Sequence, residues 1–271
     1  PALDQPRFES TYTAGKWLYE KEPVLSVVLE GRAKAYPLSI MVWHEVVNDK
    51  LAGVPIAVTF CPLTHTAVVF DRRVNGRVYD FEATGLLRKS NMVMYDRQTE
   101  TFWQQLTGEA IVGKEAGNYI VRYPSQIISA RQFANAYSEG QVLSSNTGFE
   151  RDYGVNPYIE YDRLDTVPFA FTGIVSAALC PMEKVVSVSI NGVRRAYPYY
   201  ITTGEGAIND VVGGVAIAVF HSPGALAVLD KELIQQSRED GSSGVFRREI
   251  DGQILTFLPD GENFLDVETG S

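Results

Sequence analysis

Cysteine and histidine are scarce in this chain, and long apolar runs are absent. Its 271 residues include two Cys and three His. Two cysteines cannot build the disulfide framework of a small secreted domain, and a single Cys61–Cys180 bridge is permitted without being implied. No stretch approaches the roughly 20 apolar residues that span a bilayer, and no signal-peptide pattern opens the chain. We therefore expect a soluble globular protein without a membrane span.

Basic charge is also in deficit. Lys and Arg total 24 against 33 Asp and Glu, which gives a net charge of −9. Binding to nucleic acid or to an anionic membrane surface requires a basic footprint, so neither partner is expected. The length and the 45% hydrophobic content suffice for a large core and favour two domains of ordinary size.

Several catalytic motifs are missing. The chain has no Gly-rich phosphate loop of the Walker type and no Gly-x-Ser-x-Gly elbow. The stretch His44-Glu45-Val46-Val47-Asn48 begins like the zincin helix but ends in Asn, so the second helical metal ligand is absent. These absences argue against a nucleotide-dependent enzyme and against a metallopeptidase of the zincin type.

An internal repeat is the most informative feature that the chain does contain. Residues 24–58 align without gaps to residues 185–219, as in the match of Gly31 to Gly192, and 15 of the 35 positions are identical. Chance matching at ordinary composition gives roughly two identities. The chain therefore carries one folding pattern twice.

Turn and strand signals recur in both copies. Glu30-Gly31 joins two apolar runs as a β-hairpin, and the matching Asn191-Gly192 is among the strongest short hairpin signals. Residues 55–60 and 67–70 are short and rich in β-branched or aromatic residues, which predicts two strands around the loop at 61–66. A further strand is predicted over residues 77–81, with a counterpart over residues 253–257.

Two short helices are predicted. Apolar residues at spacings of three and four predict a helix over residues 38–47, with Pro37 at its first position. Residues 129–137 form the second predicted helix, and a loop rich in Tyr, Asn, Asp and Gly follows at 146–161.

These elements predict a strand-dominated α+β fold with two pseudo-symmetric, strand-rich repeat units and short helices, packed as one body. A lead-in occupies residues 1–22, and the first repeat spans residues 23–122. A bridging helix and the Tyr-rich loop fill residues 123–182. The second, shorter repeat spans residues 183–271.

The two copies differ where side chains can do chemistry. The first copy has Trp43-His44-Glu45 where the second has Gly204-Glu205-Gly206, and only the first has a Cys61-to-His65 loop. Scaffold positions agree because each copy folds alike, whereas ligand-capable positions have diverged. The sequence therefore predicts the functional site in the first repeat.

Zinc or copper binding is the leading hypothesis for this site. Thiolate and neutral imidazole suit both metals, and Cys61, His44 and His65 would leave one coordination position open, as catalytic zinc requires. Glu45 would orient a ligand or act as a general base. His221, which matches Phe60, is a further candidate ligand across the pseudo-twofold.

Two alternatives remain open from the residues alone. Cys61 with His44 or His65 as base, and Glu45 as orienting group, would satisfy the requirements of a cysteine-nucleophile enzyme. A metal-free module would instead hold a small molecule or partner with Tyr153 and Tyr158 and a groove between the repeats. Because these readings differ on catalysis, the sequence leaves open whether the protein is an enzyme.

Five sequence motifs together resemble the domain-of-unknown-function 3179 family over nearly the whole chain. They are Ala35-Tyr36-Pro37-Leu38, Trp43-His44-Glu45-Val46-Val47-Asn48-Asp49, Cys61-Pro62-Leu63, Gly85-Leu86-Leu87 and Tyr95-Asp96-Arg97.

The resemblance implies export to the periplasm or the cell exterior, and it implies no established activity. A chain that begins at Pro1 without Met is compatible with a removed leader and equally with a trimmed sequence. Family members usually have a second Cys where this chain has Thr64, so either His65 replaces that ligand or the metal or redox role is lost.

Overall fold

The computed structural model describes residues 1–261 and 263–270. Residues 262 and 271, which belong to the predicted second repeat, lie outside the described residues. The chain divides into two compact units. The large unit comprises Pro1–Met182 and Leu226–Arg238, and the small unit comprises Glu183–Ala225 and the described residues from Glu239 onward.

Strands make up most of the large unit. In chain order they are β1 (Leu3–Asp4), β2 (Phe8–Ser10), β3 (Pro23–Leu29), β4 (Arg32–Pro37), β5 (Val46–Leu51), β6 (Val54–Cys61), β7 (Thr66–Asp71), β8 (Arg73–Val74), β9 (Arg77–Val78), β10 (Phe81–Arg88), β11 (Asn91–Asp96), β12 (Phe102–Gln104), β13 (Glu109–Val112), β14 (Arg122–Tyr123), β15 (Ser125–Ser129) and β16 (Gln141–Leu143). Its helices are α1 (Thr11–Ala14), α2 (Leu38–His44) and α3 (Ala130–Ala136), with 3₁₀ turns at Pro62–Thr64 and Ile234–Gln236.

The strands of the large unit form three main sheets. Their strand orders are β1-β5-β6-β7-β14, β10-β11-β12-β13 and β15-β3-β4-β16-β2. Glu30 and Gly31 have φ values of 49° and 74° in the β3–β4 turn. Two positive φ values are typical of the type I′ hairpin turn, which explains why a glycine is needed there.

The small unit contains β17 (Val185–Ile190), β18 (Val193–Pro198), α4 (Tyr199–Glu205), β19 (Ala207–Val212), β20 (Val215–Ser222), β21 (Ser242–Arg247), β22 (Glu249–Ile250), β23 (Gln253–Ile254), β24 (Phe257–Asp260) and β25 (Asn263–Asp266). Its largest sheet has the order β19-β20-β21. Among the described residues of the chain, no helix has the length and apolar character required to cross a membrane.

The order hairpin, seven-residue helix, hairpin occurs in both units, and α4 lies 161 residues after α2. A partly buried contact recurs as well, because Tyr36 donates to Asp49 and Tyr197 donates to Asp210, each at 2.7 Å. The strand-dominated α+β class is confirmed. The pseudo-symmetric packing of the two repeats as one body stays a prediction.

Helix α2 is shorter than the sequence predicts. Pro37 is its N-cap residue rather than its first helical residue, and the helix ends at His44 because Glu45 has a φ of 60°. The prediction that it continues to residue 47 is wrong. Val46 and Val47 are consecutive strand residues that are both fully buried, each in a different hydrophobic cluster. Burial on both faces of a strand imitates helical spacing.

Other predicted elements are confirmed with small changes. The predicted strands at 55–60 and 67–70 are β6 and β7, and the predicted helix at 129–137 is α3. Ser129 caps α3 through a capping box with Gln132. The predicted strand over residues 77–81 is interrupted, because β9 ends at Val78 and β10 begins at Phe81. The counterpart over residues 253–257 has the same break, after Ile254.

The principal core of the large unit uses both parts of its chain. Val228, Leu229 and Ile234 are fully buried in the cluster that contains Tyr36 and Phe60. Residues 226–238 thus complete this core although they follow the first strands of the small unit in sequence. The sequence pattern contains no signal that residues 226–238 return to the large unit.

Candidate functional site

His44 is buried at the C-terminal end of α2, and both of its ring nitrogens have partners. Nδ1 lies 2.9 Å from the carbonyl oxygen of Pro1, and Nε2 lies 2.6 Å from the hydroxyl of Tyr153. A carbonyl oxygen only accepts hydrogen bonds, so Nδ1 carries the proton and Nε2 accepts from Tyr153. Burial lowers the pKa of His44, which favours this neutral form.

Tyr153 is fixed from a second side by Thr147. The Thr147 hydroxyl lies 2.6 Å from the Tyr153 oxygen, whose own proton points at His44. The Thr147 hydroxyl is therefore the donor in this pair. His44 also contacts Phe149, with ring centroids 5.2 Å apart. The predicted residues His44 and Tyr153 thus share one hydrogen-bonded arrangement.

Glu45 has an unusual backbone conformation. Its φ of 60° and ψ of −30° lie outside the regions that a residue with a Cβ atom prefers. Gly206, the matching residue of the small unit, has φ 67° and ψ −48°. Each carbonyl accepts the same bond at 2.8 Å, Glu45 from Phe60 and Gly206 from His221. The turn therefore suits glycine, and the large unit has a glutamate there.

The carboxyl group of Glu45 has no hydrogen-bond or ion-pair partner among the side chains that the structure describes. Burial raises its pKa. Glu45 and Cys61 in turn act on Tyr158, whose pKa is raised to about 12 first by burial and then by these two groups. Glu45, Cys61 and Tyr158 therefore share one electrostatic neighbourhood.

Cys61 lies at the end of β6 with 1% of its surface exposed. Its sulfur accepts a hydrogen bond from the Met92 backbone N–H at 3.3 Å. Burial raises the pKa of the thiol, and hydrogen bonds from Thr64 and Met92 oppose only part of that increase. Cys61 is therefore a neutral thiol near pH 7, which is the state of a buried structural cysteine. Cys61 and Cys180 are both free.

The remaining two histidines have different surroundings. His65 ends the 3₁₀ turn in the left-handed conformation, and its ring packs edge-on against Phe60 at 5.6 Å. His221 belongs to the small unit, where its Nδ1 lies 3.0 Å from the Ser243 hydroxyl and 3.3 Å from the Thr202 hydroxyl. A contribution of His221 across the pseudo-twofold stays a prediction.

The donor groups named for zinc or copper do not form a ready coordination site. Within residues 1–261 and 263–270, no group of three or more His, Cys, Asp and Glu side chains is arranged to hold a metal ion. Both ring nitrogens of His44 are engaged in hydrogen bonds, so His44 would have to give up one partner to bind a metal ion. Zinc or copper binding by His44, Cys61 and His65 stays a prediction.

An open groove of about 1130 Å³ borders this region. Two indoles, two further aromatic rings and a short polar segment line it: Trp17, Trp43, Ser145, Phe149, Glu150, Arg151, Asp152 and Tyr153. Trp43 and Tyr153 connect the groove to the end of α2. The groove is the accessible surface next to the buried His44.

The Tyr-rich loop that supplies one wall is braced by residues 226–238. Backbone N–H groups of Asn156 and Glu160 donate to the carbonyls of Glu232 and Asp230 at 2.8 and 2.9 Å, and Ile234 donates to Gly154 at 3.0 Å. A segment without regular secondary structure is held in place by these bonds, because its backbone groups would otherwise lack partners.

The comparison with known families covers nearly the entire chain. The profile of a family described as "Protein of unknown function (DUF3179)" matches residues 1–266. The chain belongs to the DUF3179 family. No curated protein and no solved structure matches this DUF3179 chain. The predicted family is confirmed, and the family assigns no activity.

In this DUF3179 protein, Thr64 is held beside Cys61 by a buried amide network that the sequence analysis missed. Asn91 donates to the Thr64 hydroxyl at 2.9 Å and to the side-chain oxygen of Gln105 at 2.8 Å. Gln105 then donates to the Thr59 hydroxyl at 3.0 Å. Polar residues isolated within apolar stretches could have indicated this network, because buried amides require hydrogen-bond partners.

The reactivity of the two DUF3179 cysteines follows from their burial. We expect Cys180, which is exposed, to react with an alkylating reagent near neutral pH at least about 100-fold faster than Cys61. Mass spectrometry of timed samples measures both rates, and unfolding in denaturant should bring the rates together. Equal rates in the folded protein would contradict this picture and favour a cysteine nucleophile.

Proposed function

We propose that the large unit binds a small organic molecule at the C-terminal end of α2, where Glu45 and the groove beside Trp43 and Tyr153 contact the ligand. This is the metal-free binding reading, restricted to a site within the large unit. The supporting observation is the conformation of Glu45.

A glutamate in this turn costs stability. A non-glycine residue in a sparsely populated backbone region costs about 1–3 kcal/mol. The small unit avoids the cost with Gly206 in the same turn. A strained residue with an unpartnered, half-buried carboxyl group is typical of a site where the side chain serves a ligand. Glu45 can accept a hydrogen bond from the ligand or exchange a proton with it.

The neighbouring groups support a binding role. Tyr153 is held by His44 and Thr147, so the wall that it forms is fixed before a ligand arrives. Fixed walls reduce the entropy lost on binding. Aromatic surfaces with a few polar groups are the usual composition of small-molecule sites.

We expect Glu45→Gly to stabilise the protein by about 1 kcal/mol, because glycine removes the strain at this turn. Chemical denaturation with a circular dichroism readout measures the free energy of unfolding. Glu45→Gln keeps the strain and removes the charge, so it separates the two effects.

Gly206→Ala is the matched control in the small unit. Its φ of 67° and a Cβ position 3.0 Å from Pro259 predict a loss of more than about 1 kcal/mol. If Glu45→Gly destabilises the protein, the glutamate has a structural role and the proposal loses its main support.

The binding role is tested with a fragment library observed by ligand NMR. We expect a subset of fragments to bind the wild type and to bind Glu45→Gly and Trp43→Ala at least about tenfold more weakly. Both variants must retain the wild-type circular dichroism spectrum. A library in which no fragment distinguishes the wild type from these variants contradicts the proposal.

Zinc or copper content stays a separate prediction, as does export from the cytoplasm. Elemental analysis of the wild type, Cys61→Ser and His65→Ala checks the first of these. One metal ion per wild-type chain that is lost in both variants supports the metal prediction. The same low metal content in all three proteins contradicts the zinc or copper prediction.

A further inference from the structure

The groove beside α2 combines surfaces of two kinds. Trp17 and Phe149 are 37% and 40% exposed, and Trp43 and Tyr153 add two partly buried rings. Single exposed aromatic residues are common on protein surfaces, whereas several that line one groove are typical of a binding surface. Several rings along one groove provide a platform for flat, apolar ligand faces.

The polar part of the groove carries both signs of charge. Glu150, Arg151 and Asp152 follow one another along the wall, and none of them forms an ion pair within residues 1–261 and 263–270. The Arg151 guanidinium donates to the carbonyl oxygen of its neighbour Glu150. The groove therefore offers carboxylate acceptors, guanidinium donors and the Ser145 hydroxyl together.

This combination selects a particular ligand chemistry. A simple anion would meet two carboxylates, and a simple cation would meet a guanidinium. A neutral ligand with hydroxyl groups uses both, because a hydroxyl donates to a carboxylate and accepts from a guanidinium in charge-assisted hydrogen bonds. Pyranose rings add a C–H face that packs on aromatic rings, with the hydroxyl groups at the ring edge.

We propose that this groove binds a neutral oligosaccharide, with the sugar faces on Trp17 and Trp43 and the hydroxyl groups on the segment Glu150–Asp152. The inference rests on the proposed small-molecule binding at the end of α2 and names the ligand class.

The size of the groove favours a chain of sugars over a single ring. Its volume of about 1130 Å³ exceeds the roughly 300–1,000 Å³ of sites for drug-sized molecules.

Both aromatic walls are held in place. The Trp17 indole N–H donates to the Glu9 carboxylate, and Tyr153 is bonded to His44 and Thr147. A platform that is already ordered loses little side-chain entropy when a sugar packs on it.

The test is a titration with neutral hexasaccharides: cellohexaose, xylohexaose, maltohexaose and hexa-N-acetylchitohexaose. Tryptophan fluorescence reports binding, because Trp17 and Trp43 lie in the groove and the third tryptophan, Trp103, is fully buried. We expect at least one sugar to bind, with affinity reduced about tenfold or more in Trp17→Ala and in Trp43→Ala. Tyr12→Ala removes a 78% exposed ring outside the groove lining and should bind normally.

The outcomes separate the two proposals. If fragments bind in the Glu45-dependent manner and none of the hexasaccharides binds, the ligand class is wrong and the binding function stands. If sugars bind equally to the wild type and to Trp17→Ala and Trp43→Ala, the groove is not their site. If neither fragments nor sugars bind, both proposals fail. Trp17→Ala alone decides the case if Trp43→Ala does not fold.

Discussion

Glu22→Gln is expected to raise the free energy of unfolding by about 3 kcal/mol at about pH 8 and to change it little at about pH 4. Glu22 is 7% exposed, and burial raises its pKa from 4.5 to about 7, against a smaller lowering by Ser39. One carboxyl oxygen has no hydrogen-bond partner among the described residues. Glutamine resembles the neutral acid and cannot ionise.

The sign follows from proton linkage. The folded protein holds the Glu22 proton more tightly than the unfolded chain does. The contribution of this proton to the free energy of unfolding is therefore complete below about pH 4.5. It is lost as the pH rises to about 7, where the folded protein must ionise a buried group. Urea unfolding of both proteins between about pH 4 and pH 8 measures the difference. Glu20→Gln, an exposed neighbour, is the control, and a pH-independent difference for Glu22→Gln contradicts the argument.

Asn48→Ala is expected to destabilise the protein by about 3–4 kcal/mol. The Asn48 side chain donates to the Phe81 carbonyl at 2.8 Å and accepts from the Phe81 backbone N–H at 2.9 Å. Asn48 is 4% exposed and Phe81 is fully buried. Alanine leaves one buried donor and one buried acceptor without partners, and each costs about 1–3 kcal/mol.

The small unit supplies the matched comparison. Asn209 bonds both backbone groups of Phe257 at 2.8 and 2.9 Å, but this pair is only partly buried. Water can replace the lost bonds there, so Asn209→Ala should cost less than Asn48→Ala. Equilibrium unfolding of both variants provides the measurement. A loss below about 1 kcal/mol for Asn48→Ala would show that Phe81 finds other partners.

Local signals account for the parts of the fold that the sequence predicts. Asn191-Gly192 and Glu30-Gly31 identify their hairpins because both turns need positive φ values at successive residues. The predicted helix over residues 129–137 begins close to its expected start, where the structure shows a capping box between Ser129 and Gln132. Each of these signals depends on residues that are close together in the chain, so a single sequence is enough to recognise it.

The end of α2 shows where local pattern reasoning stops. Val46 and Val47 continue the apolar spacing of the helix, yet they lie in β5 between two hydrophobic clusters. Only the hydrophobic clusters on both faces of the sheet show that Val46 and Val47 belong to a strand and not to the helix. Those clusters are built by residues distant in sequence.

The sequence predicts a candidate site in the first repeat, but residue spacing does not determine the chemistry of that site. The spacing of His44, Cys61 and His65 agrees with a metal site, but His44 binds Tyr153, which is 109 residues away. Side chains compete for the same nitrogen atoms, and sequence spacing does not reveal which partner is chosen. The conformation of Glu45 is equally invisible until Gly206 is seen in the same turn.

The exchange of residues 226–238 has a consequence for how the protein is made. A ribosome delivers the chain from its N-terminus, so Val228, Leu229 and Ile234 emerge after most of the polypeptide. Before they emerge, the cluster around Tyr36 and Phe60 is open to solvent, and cellular chaperones can bind it. The first 182 residues therefore cannot complete their core until residues 226–238 have been synthesised, and we expect a product truncated after Met182 to be prone to aggregation.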